Sequence, residues 1–233
     1  PAGFELRFGS GGQLPPVVLD LPGGGSLKLK GVIDRADMAH HQGQRYLRVI
    51  DYKTGRNALD AAEVEAGSQL ALLMYLFAAR ANRADLLPAG AFYQLLDDPL
   101  VRADNADAAQ KEALKALRLS GVMLSDSAVI RLMDEAEPPY SLMKLTKKDG
   151  QPMDKDFLLS LEGMERLISL AADTAARLAW EITSGVIDRS PLVNARRRAA
   201  CAFCRYQGIC RLDNLHTEKA KRILTKRKFA DLV

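Results

Sequence analysis

The chain has 233 residues, 48% of them apolar and 27% charged, a globular balance that excludes a disordered, collagen-like or disulfide-scaffold polypeptide. At 25.5 kDa it is long enough to bury roughly 70–75% of its extended-chain surface in one full-sized core, with room for a small appendage. Its longest apolar run, residues 70–79, is about half the ~20 residues that span a bilayer, and no secretory leader opens it, so a cytoplasmic protein without a membrane partner is expected.

The formal net charge of +4 is unevenly spread. Residues 196–233 hold eleven Lys/Arg against three Asp/Glu, whereas residues 1–195 hold 22 against 26, so a basic tail follows a mildly acidic body. Such a block suits a polyanion partner, although it also serves simply to solvate a surface.

In chain order, residues 4–8 alternate as a strand does, and the start at Pro1 without a Met fits a piece of a longer protein. Residues 26–34 read as a strand ending at Asp34, and a polar connection through His40 to Gly43 leads to a second strand over 46–50 that runs into Asp51-Tyr52-Lys53-Thr54-Gly55. The two strands predict a hairpin. Apolar residues at helical spacing predict one helix over residues 60–82, closed by Pro88 and Gly90. Residues 91–96 predict a central strand, 107–117 a helix, and 121–124 and 129–133 two short strands. A long amphipathic helix is predicted over 154–183, with Gly185 at its C-terminal cap. The expectation is an α/β fold, a mixed sheet flanked by helices over residues 1–190, followed by a Cys-containing basic appendage over 191–233.

Asp34, Asp51 and Lys53 carry the chemistry. Side chains alternate along a strand, so Asp51 and Lys53 share a face, and the hairpin brings Asp34 beside them. Mg²⁺ or Mn²⁺ takes one or two carboxylates plus other oxygens, and Asp34, Asp51 and the backbone carbonyl of Tyr52 would supply them. A lysine beside such an ion positions or deprotonates an attacking water, the set of parts that phosphodiester hydrolysis needs. From spacing alone, a surface hairpin bearing an Asp–Lys ion pair accounts for the same residues. The Gly9-Ser10-Gly11-Gly12 stretch lacks the Gly-Lys-Ser/Thr of a phosphate loop. His40 and His41 read as a solvated turn.

Gly31-Val32-Ile33-Asp34 and Asp51-Tyr52-Lys53-Thr54-Gly55 resemble the G-x-x-D and D-Y-K-T-G motifs of PD-(D/E)XK nucleases of the RecB type, most closely the C-terminal nuclease domain of AddB-like members of bacterial helicase–nuclease complexes. The resemblance implies a restriction-endonuclease-like fold and a metal-dependent DNA exonuclease acting in double-strand-break repair with a helicase–nuclease partner subunit. It also assigns the metal site to Asp34 and Asp51 and the water-activating role to Lys53. A helical Gln in this family helps to hold the site, which points to Gln69, although the Tyr expected four residues on is replaced by Leu73 and the nearest is Tyr75. The family's upstream His would precede Pro1.

Cys201, Cys204 and Cys210 follow the C-x2-C-x5-C spacing of the iron–sulfur subgroup of these nucleases, shared with CRISPR-adaptation exonucleases. The resemblance implies a 4Fe-4S cluster whose fourth thiolate lies upstream of Pro1, so this fragment is expected to lack it. Zinc held by the three cysteines and His216, or three unligated thiols, are the other readings. Arg196, Arg197 and Arg198 are expected to contact DNA phosphates. Two further functions fit: a nuclease fold that grips DNA or a helicase without cutting, and a CRISPR-adaptation-type exonuclease.

Overall fold

The computed structural model describes residues 1–55, 57–81, 83, 85–133, 151–194, 200–211 and 222–233. Its centre is a six-stranded mixed sheet in the order β1 (Gly3–Phe8), β4 (Gly31–His41), β5 (Gln44–Lys53), β6 (Leu86–Leu95), β7 (Ser120–Leu124) and β8 (Leu158–Leu159). The pairs β5–β6 and β7–β8 are parallel and the others antiparallel. A separate antiparallel ribbon joins β2 (Val17–Asp20) to β3 (Ser26–Leu29). Near the end of the chain β9 (Leu192–Val193) pairs in parallel with β10 (Arg222–Ile223). The mixed α/β architecture and the central place of β6 agree with the sequence.

Several boundaries differ, each for a local reason. Residues 26–34 do not form one strand: Lys30 separates β3 from β4, so Asp34 lies inside β4 rather than at its end. The β4–β5 turn is only Gln42-Gly43, both at positive φ, and His40 and His41 belong to the strand, paired with Arg45 and Gln44. A two-residue turn of this hand matches the twist of its strands.

The helix predicted over 60–82 is two helices, α1 (Ala61–Ala66) and α2 (Ala71–Arg80). Asp60 caps α1 by accepting from the N–H groups of Ala62 and Glu63, and Gly67 ends it at φ 87°, donating its N–H to Glu63 and Val64. Only glycine adopts that left-handed turn without cost, and it re-aims the chain before α2 begins. After α3 (Ala106–Ala116), residues 129–133 belong to helix α4 (Ser127–Met133), not to a strand. Asp126 caps that helix at the N–H groups of Ala128 and Val129, a local signal that outweighs the β-branched pair Val129-Ile130. The long helix, α5 (Leu161–Thr183), starts at the cap Ser160 and ends at Ser184, with Gly185 just beyond at φ 76°.

The core lies between the sheet and the α2–α5 layer: Leu72, Leu73 and Leu76 of α2, Met164 and Leu167 of α5, and Val49, Leu86, Val122 and Met123 of the sheet are fully buried. Arg80 clamps this layer. Its guanidinium makes two bonds to Glu165 of α5, at 3.0 and 2.6 Å, and a third to the Leu86 carbonyl at 2.6 Å. The end of the chain also reaches the core: Phe229 is buried, Leu232 and Val233 pack against it, and Arg227 pairs with Glu65 at 3.1 Å. Among the described residues, no helix is long and apolar enough to cross a membrane.

Candidate active site

Two edges of β5 are used differently, and that asymmetry builds the site. On one side β5 pairs with β6 through to Lys53, and the ladder continues as Leu96 donates to the Lys53 carbonyl at 2.9 Å. On the other side, pairing with β4 stops at Arg35–Ile50. Where the next pair would be Asp34 with Asp51, the Asp34 carboxylate enters the gap and accepts the N–H of Tyr52 at 2.7 Å. Extended backbone sends the N–H and C=O of one residue to the same edge, so the Tyr52 carbonyl faces the Asp34 side as well.

Asp51 is 4% exposed. Its Oδ2 lies 2.8 Å from Lys53 Nζ, an ion pair, yet no donor meets that buried oxygen with hydrogen-bond geometry. Burial raises the Asp51 pKa above its ordinary value; Lys53 opposes this, and the adjoining Asp34 carboxylate adds to it. A buried carboxylate oxygen met by an ion pair but by no well-formed hydrogen bond, beside a second carboxylate and a backbone carbonyl, is a set of hard oxygen donors that fits a divalent cation. The site thus offers two carboxylates rather than three: among the described residues, no group of three or more His, Cys, Asp or Glu side chains is gathered to hold a metal.

Two tyrosines that sequence reasoning did not assign complete the surroundings. Tyr93 of β6 is the register partner of Asp51, and its ring lies 5.7 Å from Lys53 Nζ, within cation–π range. Burial, and then the charge of Asp51, push its hydroxyl up to about 12. Tyr75 of α2 packs edge-on against Phe8, centroids 6.2 Å apart. Its hydroxyl is raised first by burial and then by Asp51 and Asp34, with Lys53 opposing, which places it within the field of the site. Tyr75 is the tyrosine nearest to the expected motif, and Tyr93 carries a hydroxyl in a largely apolar strand; both were signals available in the sequence.

Gly31, the glycine of the G-x-x-D stretch, is explained by close approach. A Cβ there would stand 2.7 Å from the Phe8 ring and 3.6 Å from that of Tyr75.

Gln69 does not reach this cluster. Its Oε1 accepts the Asp60 N–H at 2.8 Å and its Nε2 donates to the Ala58 carbonyl at 3.2 Å, so both ends of the amide brace the loop between Lys53 and α1. Cys201 and Cys210 are half-buried and Cys204 is exposed, all three as free thiols. They sit on a 3₁₀ turn over Ala200–Phe203 and the short helix α6 (Gln207–Cys210), and are not brought together as a ligand set. Arg196, Arg197, Arg198 and His216 lie outside the described residues.

A model described as the PD-(D/E)XK nuclease superfamily matches residues 1–211. Among curated proteins, the chain is similar to an ATP-dependent helicase/deoxyribonuclease subunit of Desulforudis audaxviator, 38% identical over 92% of this chain and 19% of that protein. It is likewise similar to the proteins of the same name from Caldanaerobacter subterraneus, 36% identical over 97% and 20%, and from Bacillus anthracis, 33% identical over 98% and 21%. The chain therefore spans about a fifth of the length of these relatives. With the match running from the first residue through the cysteine stretch, and with the acidic pair set across the open end of a strand ladder, the chain belongs to the PD-(D/E)XK nuclease superfamily.

Proposed function

We propose that the chain is the nuclease domain of a helicase–deoxyribonuclease subunit, which hydrolyses phosphodiester bonds of DNA from an end. The observation that carries this reading is the Asp51 carboxylate, buried beside Asp34 at the open end of the β4–β5 ladder and balanced by Lys53 at 2.8 Å without a well-formed hydrogen bond to Oδ2, because burying a charge against a lysine that is itself over a third exposed adds little stability. Asp34, Asp51 and the Tyr52 carbonyl would hold Mg²⁺ or Mn²⁺. When bound, that ion supplies Lewis-acid polarisation of a phosphoryl oxygen and a water of lowered pKa.

The chain's own groups do the rest. Lys53 orients the attacking water and meets charge gathering on the phosphate. Tyr93 walls the lysine in and keeps its hydroxyl protonated. Gln69 acts as a positioning residue: by fixing the Ala58–Asp60 backbone it holds the loop that leaves Lys53. Arg196, Arg197 and Arg198 bind DNA phosphates, and residues 191–233, which follow the nuclease core of residues 1–190 in the sequence, supply a basic, Cys-containing segment whose last residues, from Phe229, return to that core. In the cytoplasm, a partner helicase–nuclease subunit would deliver the DNA end.

Cys201, Cys204 and Cys210 are the ligands of an iron–sulfur cluster whose fourth ligand comes from outside residues 1–233. Their spacing and free thiols support this reading, although the three would have to draw together to bind. Iron and acid-labile sulfide analysis of the longer protein purified without oxygen tests it. One zinc and no iron would replace the cluster with a zinc site.

The nuclease reading is tested by incubating the protein with linear and circular DNA, single- and double-stranded, in Mg²⁺, Mn²⁺ or EDTA. Metal-dependent loss of linear substrates, abolished by Asp51→Asn, is expected. Absence of cleavage by the longer protein under every condition would assign the fold to binding alone.

A further inference from the structure

Next to the carboxylates the sheet carries a cleft of about 440 Å³, whose lining includes Lys53, Asn57, Tyr93, Arg118 and Ser120. Its position follows from strand register: Asp51 pairs with Tyr93 across β5–β6, and Tyr93 pairs with Ser120 across β6–β7. At the usual strand spacing of about 4.8 Å, Ser120 stands two strands from Asp51, about 10 Å along one row. The cleft therefore opens off the site rather than lying elsewhere on the molecule.

Charge in this cleft is not balanced internally. Lys53 is committed to Asp51, and Lys115 is paired with Glu112 one turn back on α3. Arg118, which follows α3 and precedes β7, is half-buried, and among the described residues its guanidinium has no acidic partner. A guanidinium taken partly out of water without a counter-charge is costly, and its planar fork matches phosphate oxygens. The Asn57 amide and the Ser120 hydroxyl add donors, while Leu95, Val101 and Ala116 supply apolar surface. A site lined, among the described residues, by one guanidinium without an acidic partner, neutral donors and an apolar floor fits a nucleotide: phosphate on the cation, sugar and base on the floor.

We propose that this cleft is a second phosphate subsite, which holds the single-stranded nucleic-acid backbone beside the scissile bond with Arg118 as its phosphate-binding residue. It rests on the nuclease reading and adds where the strand runs: from the carboxylates, across Tyr93, to the β7 side. Cation placement at the C-terminal end of α3 is the competing explanation for Arg118, since a helix end favours positive charge without any ligand.

The test is binding of a labelled single-stranded oligonucleotide in EDTA, so that no cutting occurs, across a salt series. Arg118→Ala should weaken binding to every sequence alike and reduce the magnitude of the slope of log affinity against log salt by about 0.7, the value of one single-strand phosphate contact. Arg118→Lys should restore part of the affinity. Arg166→Ala, which removes an exposed guanidinium paired with Glu162 on α5, should leave the slope unchanged. In the cleavage assay Arg118→Ala should raise KM more than it lowers kcat. An unchanged slope and KM in a folded Arg118→Ala protein, or a wild-type protein that does not bind the oligonucleotide, overturns the subsite. A normal Arg118 effect in a protein that never cuts would uphold the subsite and reject the nuclease reading, so the two failures are separable.

Discussion

Asp34 accepts the backbone N–H of Tyr52 at 2.7 Å, so one carboxylate both ends a strand ladder and faces the candidate metal site. Asp34→Ala should therefore lose cleavage and also about 1–3 kcal/mol of stability, from a backbone donor left without its partner. Asp34→Asn keeps an acceptor for Tyr52 and should lose cleavage while melting close to wild type. Thermal melts beside the DNA cleavage assay check both; a destabilised Asp34→Asn protein would mean that charge, not hydrogen bonding, holds the strand end.

Asp51 illustrates an active-site cost. Its folded-state pKa is raised, chiefly by burial, so the folded state binds the proton more tightly than the unfolded state and loses stability as pH rises from acid toward neutral. Asp51→Asn should raise the melting temperature at neutral pH without added metal. Mg²⁺ or Mn²⁺ should raise the melting temperature of the wild type and not of the variant, because only the wild type offers the ion its carboxylate.

Opposite in sign is Asp37, paired with Arg48 at 2.9 Å and Arg35 at 2.8 Å. Burial raises its pKa, but the bonds and charges of the two arginines outweigh burial and hold it below its ordinary value. Its stabilisation is present above the unfolded pKa near 3.8 and disappears as pH falls through the lower folded value. Asp37→Asn should destabilise the protein at neutral pH and flatten the acid limb of its stability curve. Arg48→Ala, which also vacates a bond to the Met133 carbonyl, should cost about 3 kcal/mol in a denaturant titration.

Gly31→Ala places a methyl group 2.7 Å from the Phe8 ring, and that ring packs against Tyr75. Over-packing of this kind should cost about 1–3 kcal/mol. Cleavage should fall further than stability alone explains, since the displaced ring touches a tyrosine in the field of the site. Unchanged turnover at full occupancy of the folded state would detach Tyr75 from the chemistry.

The site was legible where chemistry and spacing are local. Asp51-Tyr52-Lys53 announces two side chains on one face, and the strands around it follow from alternation and flanking turns. Asp34 was assigned its neighbourhood but not its hydrogen bond, because an opened strand ladder leaves no mark in composition. Gln69 has the residue type for a site and the place of a brace: its partners, Asp60 and Ala58, are set by Gly67, which breaks the helix that periodicity alone would continue. The short segment 129–133 misled because β-branched residues favour strands until a cap such as Asp126 decides otherwise. Arg118 carried no signal at all, since one arginine after a helix is unremarkable until the register of three strands brings Ser120 to Tyr93 and, two residues before it, Arg118 into the lining of the same cleft.

The closing of the chain over its own core has a consequence for biosynthesis. Phe229 is 5% exposed within the main cluster, and Val233 comes against the first turn of α5, where a Cβ on Gly163 would lie 3.3 Å from its side chain. A ribosome delivers residues 229–233 after every strand of the main sheet, so the nascent domain waits with the start of its longest helix uncovered. The start of that helix is then covered only after the main sheet has been delivered, and the interval between the two is when the emerging domain depends most on chaperones.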